Sequence, residues 1–138
     1  PGRVTLRRST GRREPGRRRT VTLPGLSRTE SRALRGLGTT LDLPLGTTLA
    51  FEAAPGREAF LLLGGQLEVR RKGELVATLS PGQLAGETAI LTRSLRNADV
   101  VATSPVQVLV FTPAELREAL HRCPSLAAQA AARPAASR

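Results

Sequence analysis

Aromatic residues are nearly missing from this chain. Its 138 residues hold three phenylalanines (Phe51, Phe60 and Phe111) and no Trp, Tyr or Met. The core must therefore be built from Leu, Val, Ala and Ile. Cys123 is the single cysteine. No disulfide forms within the chain, and no zinc cluster of the Cys/His kind is available. That fits a reducing compartment, and a cytoplasmic location is the expectation. No stretch approaches the roughly 18 apolar residues of a membrane-crossing helix. The N-terminus lacks the apolar centre of a signal peptide. It also lacks a Met, as expected of a processed chain or a piece of a longer protein. Lysine occurs once, at Lys72, and histidine once, at His121. That histidine is far in sequence from any poised serine and no nucleophile–base constellation forms, so the chain reads as a non-enzyme with no catalytic residues and no metal.

Positive charge is abundant but uneven. The net charge is +10, and eight arginines against Glu14 place +7 of it in the first 20 residues. Residues 1–22 are Arg-, Gly- and Thr-rich and poor in apolar side chains, which predicts a disordered basic tail. A solvated linker is the plainer reading of it. Nucleic acid is the lesser one, because no aromatic is interleaved for stacking. Residues 23–132 read as one nearly neutral domain, and residues 133–138 as a frayed end.

Within that domain, Ser27 and Glu30 have capping-box spacing at the start of a helix, and Ala33, Leu34 and Leu37 follow on one face. From Thr39 to Phe111, short apolar segments recur at roughly 8–12-residue spacing, separated by Pro-Gly, Gly-Gly and Lys-Gly turns. About eight strands of this kind mark a sandwich, barrel or jelly roll. Alternation over Leu67/Val69, Leu75/Ala77/Leu79 and Val106/Val108/Val110 assigns each set to one face. Thr112, Pro113 and Glu115 open a second helix, with Phe111 and Leu116 at hydrophobic-staple spacing. Pro124 interrupts it, and a small Ala-rich helix runs from Ser125 to Ala132. His121 and Cys123 read as a helix-end histidine and a partly buried thiol, not as a metal or redox pair.

The strand pattern breaks once, from Thr88 to Leu95, where a single helical turn fits. Gly86-Glu87 precedes the turn, and Arg96-Asn97-Ala98 follows it at the start of the next strand. Backbone N–H groups at a helix start attract an anion such as phosphate. An arginine opposite them adds charge and a bidentate fork. Glu87 would repel a phosphate, but it suits the hydroxyls of an attached sugar. Asp99, three residues beyond Arg96 on a strand, faces away from it and is no partner for it.

With these residues assembled, the chain resembles the cyclic nucleotide-binding domain family, found in catabolite-activator-type transcription factors and protein kinase A regulatory subunits. The resemblance runs from about Leu23 to Leu120. It rests on Gly46, on Phe60–Val69 with its Gly64-Gly65 turn, on Pro81–Glu87, and on the cassette Gly86–Leu91 with Arg96-Asn97-Ala98. It implies a mainly β fold, an eight-stranded antiparallel β-roll with flanking helices and a short cassette helix. It implies that Glu87 accepts the ribose 2′-hydroxyl and that Arg96 pairs with the cyclic phosphate. Backbone N–H groups from Glu87 to Ala89, Thr88 included, and that of Asn97 would complete the cradle. Gly86 would allow close approach, and Leu67, Val69 and Ala85 would touch ribose or base.

Three positions depart from the family pattern. Ala85 is smaller than usual, Asn97 replaces a small residue, and Leu95 replaces a common proline. Asn97 removes a guide to the base, so cAMP and cGMP both remain candidate ligands. The resemblance allows a homodimer or a fused or associated effector domain as partner. A degenerate β-roll that binds proteins without nucleotide is the alternative.

Overall fold

A computed structural model describes residues 23–132; the expectations for residues 1–22 and 133–138 lie outside it. The order of elements is α1 (Arg28–Leu37), β1 (Thr39–Leu43), β2 (Thr48–Ala50), β3 (Ala59–Gly64), β4 (Leu67–Arg71), β5 (Glu74–Leu79), β6 (Leu84–Ala85), α2 (Glu87–Leu91), β7 (Asp99–Ala102), β8 (Val106–Phe111), α3 (Pro113–Arg122) and α4 (Pro124–Ala132). The strands form two four-stranded sheets, β1-β8-β3-β6 (sheet A) and β2-β7-β4-β5 (sheet B). Every pairing is antiparallel. This is the expected eight-stranded β-roll with flanking helices.

Two apolar layers hold it together. The first lies between the sheets and includes Leu41, Phe60, Leu62, Leu67, Val100, Val108 and Val110. The second lies between sheet A and the helices and includes Leu34, Leu61, Leu84, Leu109, Phe111, Leu116 and Leu126. Strand β3 serves both layers. Phe60 and Leu62 point inward, Ala59 and Leu61 outward, and all four are buried. A strand buried on both faces has no polar side, which is why Ala59–Leu63 reads as an unbroken apolar run.

Both capping boxes form. Ser27 and Glu30 exchange bonds of 2.9 and 3.0 Å at the start of α1. Thr112 and Glu115 do so at the start of α3, at 2.9 and 3.1 Å. Cys123 caps the end of α3 and is fully buried, deeper than expected. Burial, followed by the nearby Glu30 charge, raises the pKa of its thiol.

The alternation of β5 does not hold along its length. Val69 pairs with Ala77, but Arg70 pairs with Leu75, so the register shifts at this point. Such a bulge flips the side chains beyond it. Leu75 is turned outward and is 52% exposed, whereas Leu79 stays buried.

Candidate functional site

Strand β6 is followed at once by Gly86, the N-cap of α2, whose φ of 82° lies in the left-handed region. A Cβ at this position would stand 2.7 Å from Arg96 Nη1 and 3.1 Å from the Glu58 carbonyl oxygen. Glycine is needed here for both backbone conformation and close approach. The next residue, Glu87, opens α2 and is only 1% exposed. The Thr88 hydroxyl lies 3.5 Å from Glu87 Oε2. The start of α2 leaves its first backbone N–H groups without acceptors in the helix, as every helix start does.

The loop between β2 and β3 straps this turn in place. A Cβ on Gly56 would stand 2.5 Å from the Ala89 Cβ, so the loop lies directly against α2. The Arg96 N–H donates to the Ala54 carbonyl at 2.8 Å, and the Ala53 N–H donates to the Arg96 carbonyl at 2.7 Å. Leu95 bridges to Pro55. Asp99 is also used by this loop: its Oδ1 accepts from the Glu52 N–H at 2.6 Å.

The Arg96 side chain turns inward and is 9% exposed. Its Nη2 donates to the Glu58 carbonyl at 2.8 Å, and its Nη1 to the Gly86 carbonyl at 3.3 Å. Its guanidinium carbon lies 5.9 Å from the centre of the Phe60 ring, within cation–π range. Burial lowers the pKa of Arg96, and the charges of Glu58 and Glu87 oppose that shift.

These residues surround a cleft at the inner face of sheet B. The cleft brings together Val69, Ala85, Gly86, Glu87, Thr88, Ala89, Arg96 and Asn97, eight of the nine positions singled out from sequence. Leu67 lies one layer behind, wholly buried in the inter-sheet core and outside the cleft lining. Ala50, Leu79, Ala98 and Val100 complete the apolar wall. Sequence reasoning missed these four as contacts, although the alternation of Val100 with Ala98 and of Leu79 with Ala77 was there to be used. It also missed Glu58 and Phe60, which position Arg96 from 38 and 36 residues away.

One wall of the cleft thus carries a buried carboxylate, a buried guanidinium and a helix start, and the other is apolar. The arrangement matches a ligand with an anion, adjacent hydroxyls and a flat apolar part. Among the described residues, no group of three or more His, Cys, Asp and Glu is placed to hold a metal ion. No described helix is long and apolar enough to cross a membrane.

Comparison with known proteins points the same way. The chain is 30% identical over 94 residues to the Pycsar effector protein XpPycTIR of Xanthomonas perforans, covering 67% of this chain and 31% of that protein. It is 39% identical over 60 residues to a cGMP-dependent protein kinase of Caenorhabditis elegans, covering 44% of this chain and 8% of the kinase. It spans less than a third of the length of the curated relatives it matches. The catabolite activator protein of Thermus thermophilus shares the fold, with a TM-score of 0.66 at 24% identity over 79% of this chain and 54% of the activator. The family model of the cyclic nucleotide-binding domain matches residues 40–123, a span that contains the Gly86–Glu87 turn, Arg96 and both sheets except for Thr39, and the chain belongs to that family.

Proposed function

We propose that residues 23–132 form a cytoplasmic sensor domain that binds cAMP or cGMP and passes the binding event to its C-terminal helices. The observation that carries this reading is the meeting of Gly86-Glu87 and Arg96 in one cleft. Arg96 pairs with the cyclic phosphate, and its fork replaces bonds to backbone carbonyls with charge-assisted ones. The first N–H groups of α2, from Glu87 to Ala89, and that of Asn97 complete the phosphate cradle. Glu87 accepts the ribose 2′-hydroxyl. Val69 and Ala85 flank the ribose and base. The domain itself carries out no reaction, and its output goes to a fused or associated effector or to a second copy of the chain.

The route to the C-terminal helices runs through Gln129 on α4. Its Oε1 accepts from the Leu84 N–H at 2.7 Å, and its Nε2 donates to the Gly82 carbonyl at 3.1 Å. Leu84 stands two residues before Gly86. Movement of the cassette toward a bound phosphate therefore pulls on the strand to which α4 is fastened, and the ligand shifts the population of docked helices.

Calorimetric titration with cAMP and cGMP tests the reading. The parent chain is expected to bind one or both saturably. Arg96→Ala is expected to lose roughly 1.5–3 kcal/mol, about ten- to a hundredfold in affinity. Absence of binding to a well-folded parent at millimolar nucleotide would overturn the reading and leave a protein-interaction β-roll. Unchanged hydrogen-exchange protection in α3 and α4 on saturation would overturn the coupling alone.

A further inference from the structure

Arg71 has no role in the site as described so far, yet its surroundings are unusual. It closes β4, two residues beyond the cleft residue Val69 and on the same face of the strand. The β4–β7 ladder pairs Val69 with Val100 and Arg70 with Asp99. One further step brings Arg71 alongside Ala98, another cleft residue. Arg71 Nε donates to the carbonyl of the cleft residue Asn97 at 3.1 Å, so the guanidinium is tied to the backbone of the cleft wall, although Arg71 is not itself among the lining residues. Its Nη2 is buried and has no hydrogen-bond partner among the described residues. No described carboxylate lies within ion-pair distance of it. Glu74, opposite it on the β5 side, is exposed to solvent.

A buried guanidinium donor without an acceptor is costly, and a ligand that supplies one is favoured by that cost. Arginine offers donors only. The major-groove edge of guanine carries two acceptors, O6 and N7, whereas adenine carries the N7 acceptor beside the N6 amine, a donor. A nucleotide seated with its phosphate at Arg96 and its ribose at Glu87 extends its base along the apolar wall of Val69. Arg71 follows Val69 by two residues on the same face of β4, next to the cleft residues Asn97 and Ala98. We infer that Arg71 is a specificity residue that reads the O6 and N7 edge of the base and selects a 6-oxopurine cyclic nucleotide over cAMP. This inference rests on the cyclic nucleotide reading of the cleft.

Titrating the parent, Arg71→Met and Arg71→Lys with cGMP, cIMP and cAMP tests it. Inosine keeps O6 and N7 but lacks the 2-amino group, so it isolates the edge that Arg71 would read. The parent is expected to bind cGMP and cIMP alike, each about tenfold or more tighter than cAMP, the discrimination typical of a bidentate arginine–guanine contact. Arg71→Met keeps the aliphatic stem and removes the fork. It is expected to bring the three affinities together by weakening cGMP and cIMP while leaving cAMP near its parent value. Arg71→Lys should restore only part of the preference. Thermal melting of each variant confirms that it is folded.

A parent that binds cAMP as tightly as cGMP would overturn the inference and leave the cyclic nucleotide reading intact. So would a cGMP preference that cIMP does not share or that survives in Arg71→Met. Equal weakening of all three ligands in Arg71→Met would make Arg71 a support for Asn97 and nothing more. A folded parent that binds none of the three would remove the cyclic nucleotide reading itself.

Discussion

The two sheets are equal in strand number and opposite in character. Sheet A is covered on both sides, by sheet B and by the helices, and its central strands β3 and β8 are apolar along nearly their whole length. Among the described residues, sheet B is covered on one side only. Its outer face carries the Glu68–Arg70 ion pair and the exposed Leu75 and Val76. The cleft opens on its inner face, against the loop that carries Arg96. Sheet A is a scaffold whose packing fixes everything attached to it, α2 included, because α2 follows directly from strand β6. Sheet B presents a wall of small apolar residues to the cleft and leaves its other face to water. The same elements of sequence, short strands and tight turns, thus yield one half buried on both faces and one half that lines the cleft, and the difference lies in what covers the second face.

The largest expected effect separates the two halves by stability. Leu61 is wholly buried between sheet A and the helices. Leu61→Ala deletes methyl groups in a filled layer and is expected to cost about 2–5 kcal/mol in chemical denaturation. Leu75→Ala, on the open face of sheet B, is expected to change stability by no more than about 0.5 kcal/mol. Similar losses for the two variants would break the comparison, because they would mean that a hidden partner covers the outer face of sheet B.

Much of this contrast is written in the sequence. The unbroken run Ala59–Leu63 marks a strand buried twice, and the two capping boxes mark where helices begin. The cassette residues follow in order along the chain, so the cleft is legible wherever its parts are local. What was illegible depends on contacts between distant segments. The bulge at Arg70 reverses Leu75, and only the pairing of β4 with β5 determines it. Gln129 reaches Leu84 across 45 residues, and Arg71 reaches Asn97 across 26. No pattern of period 2 or 3.6 encodes such pairs, because periodicity specifies a face and not the neighbour that meets it. Leu67 illustrates the same limit: alternation put it on one face with Val69 and made it a candidate contact for ribose or base, but it lies in the inter-sheet core, outside the cleft lining.

A smaller effect probes the link between the scaffold and the cleft. Gln129 fastens α4 to the end of sheet A just before the cassette, through both atoms of its amide. Gln129→Ala removes both bonds and is expected to destabilise the chain by about 1–2 kcal/mol. Hydrogen exchange should quicken in α4 while protection in sheet B is retained. If α4 kept its protection, Leu126 and its apolar neighbours alone would hold the helix, and the cassette would have no polar tie to it.

The smallest expected effect is a pH dependence confined to the helix layer. Glu30 belongs to the capping box of α1, and it also holds the start of α4. Its Oε1 accepts from the Ser27 N–H and from the Ser125 hydroxyl, and its Oε2 accepts from the Ser125 N–H at 3.0 Å. The backbone bonds from Ser27 and then from Ser125 lower its pKa below the ordinary 4.5. A carboxylate held below its unfolded value contributes stability that is fully present above that value and is lost as pH falls through the folded one. Docking of α4 should therefore be constant at neutral pH and loosen only below about 4.5. Solvent screening of an accessible carboxylate limits the effect to on the order of half a kcal/mol. The informative quantity is the difference between the parent and Glu30→Gln. That difference, followed by hydrogen exchange in α4, should be largest at neutral pH and vanish in acid, with sheet B unaffected throughout. A difference that persists undiminished at pH 3 would show that Glu30 acts through packing, and the charge of the carboxylate would then have no part in seating the helix against the scaffold.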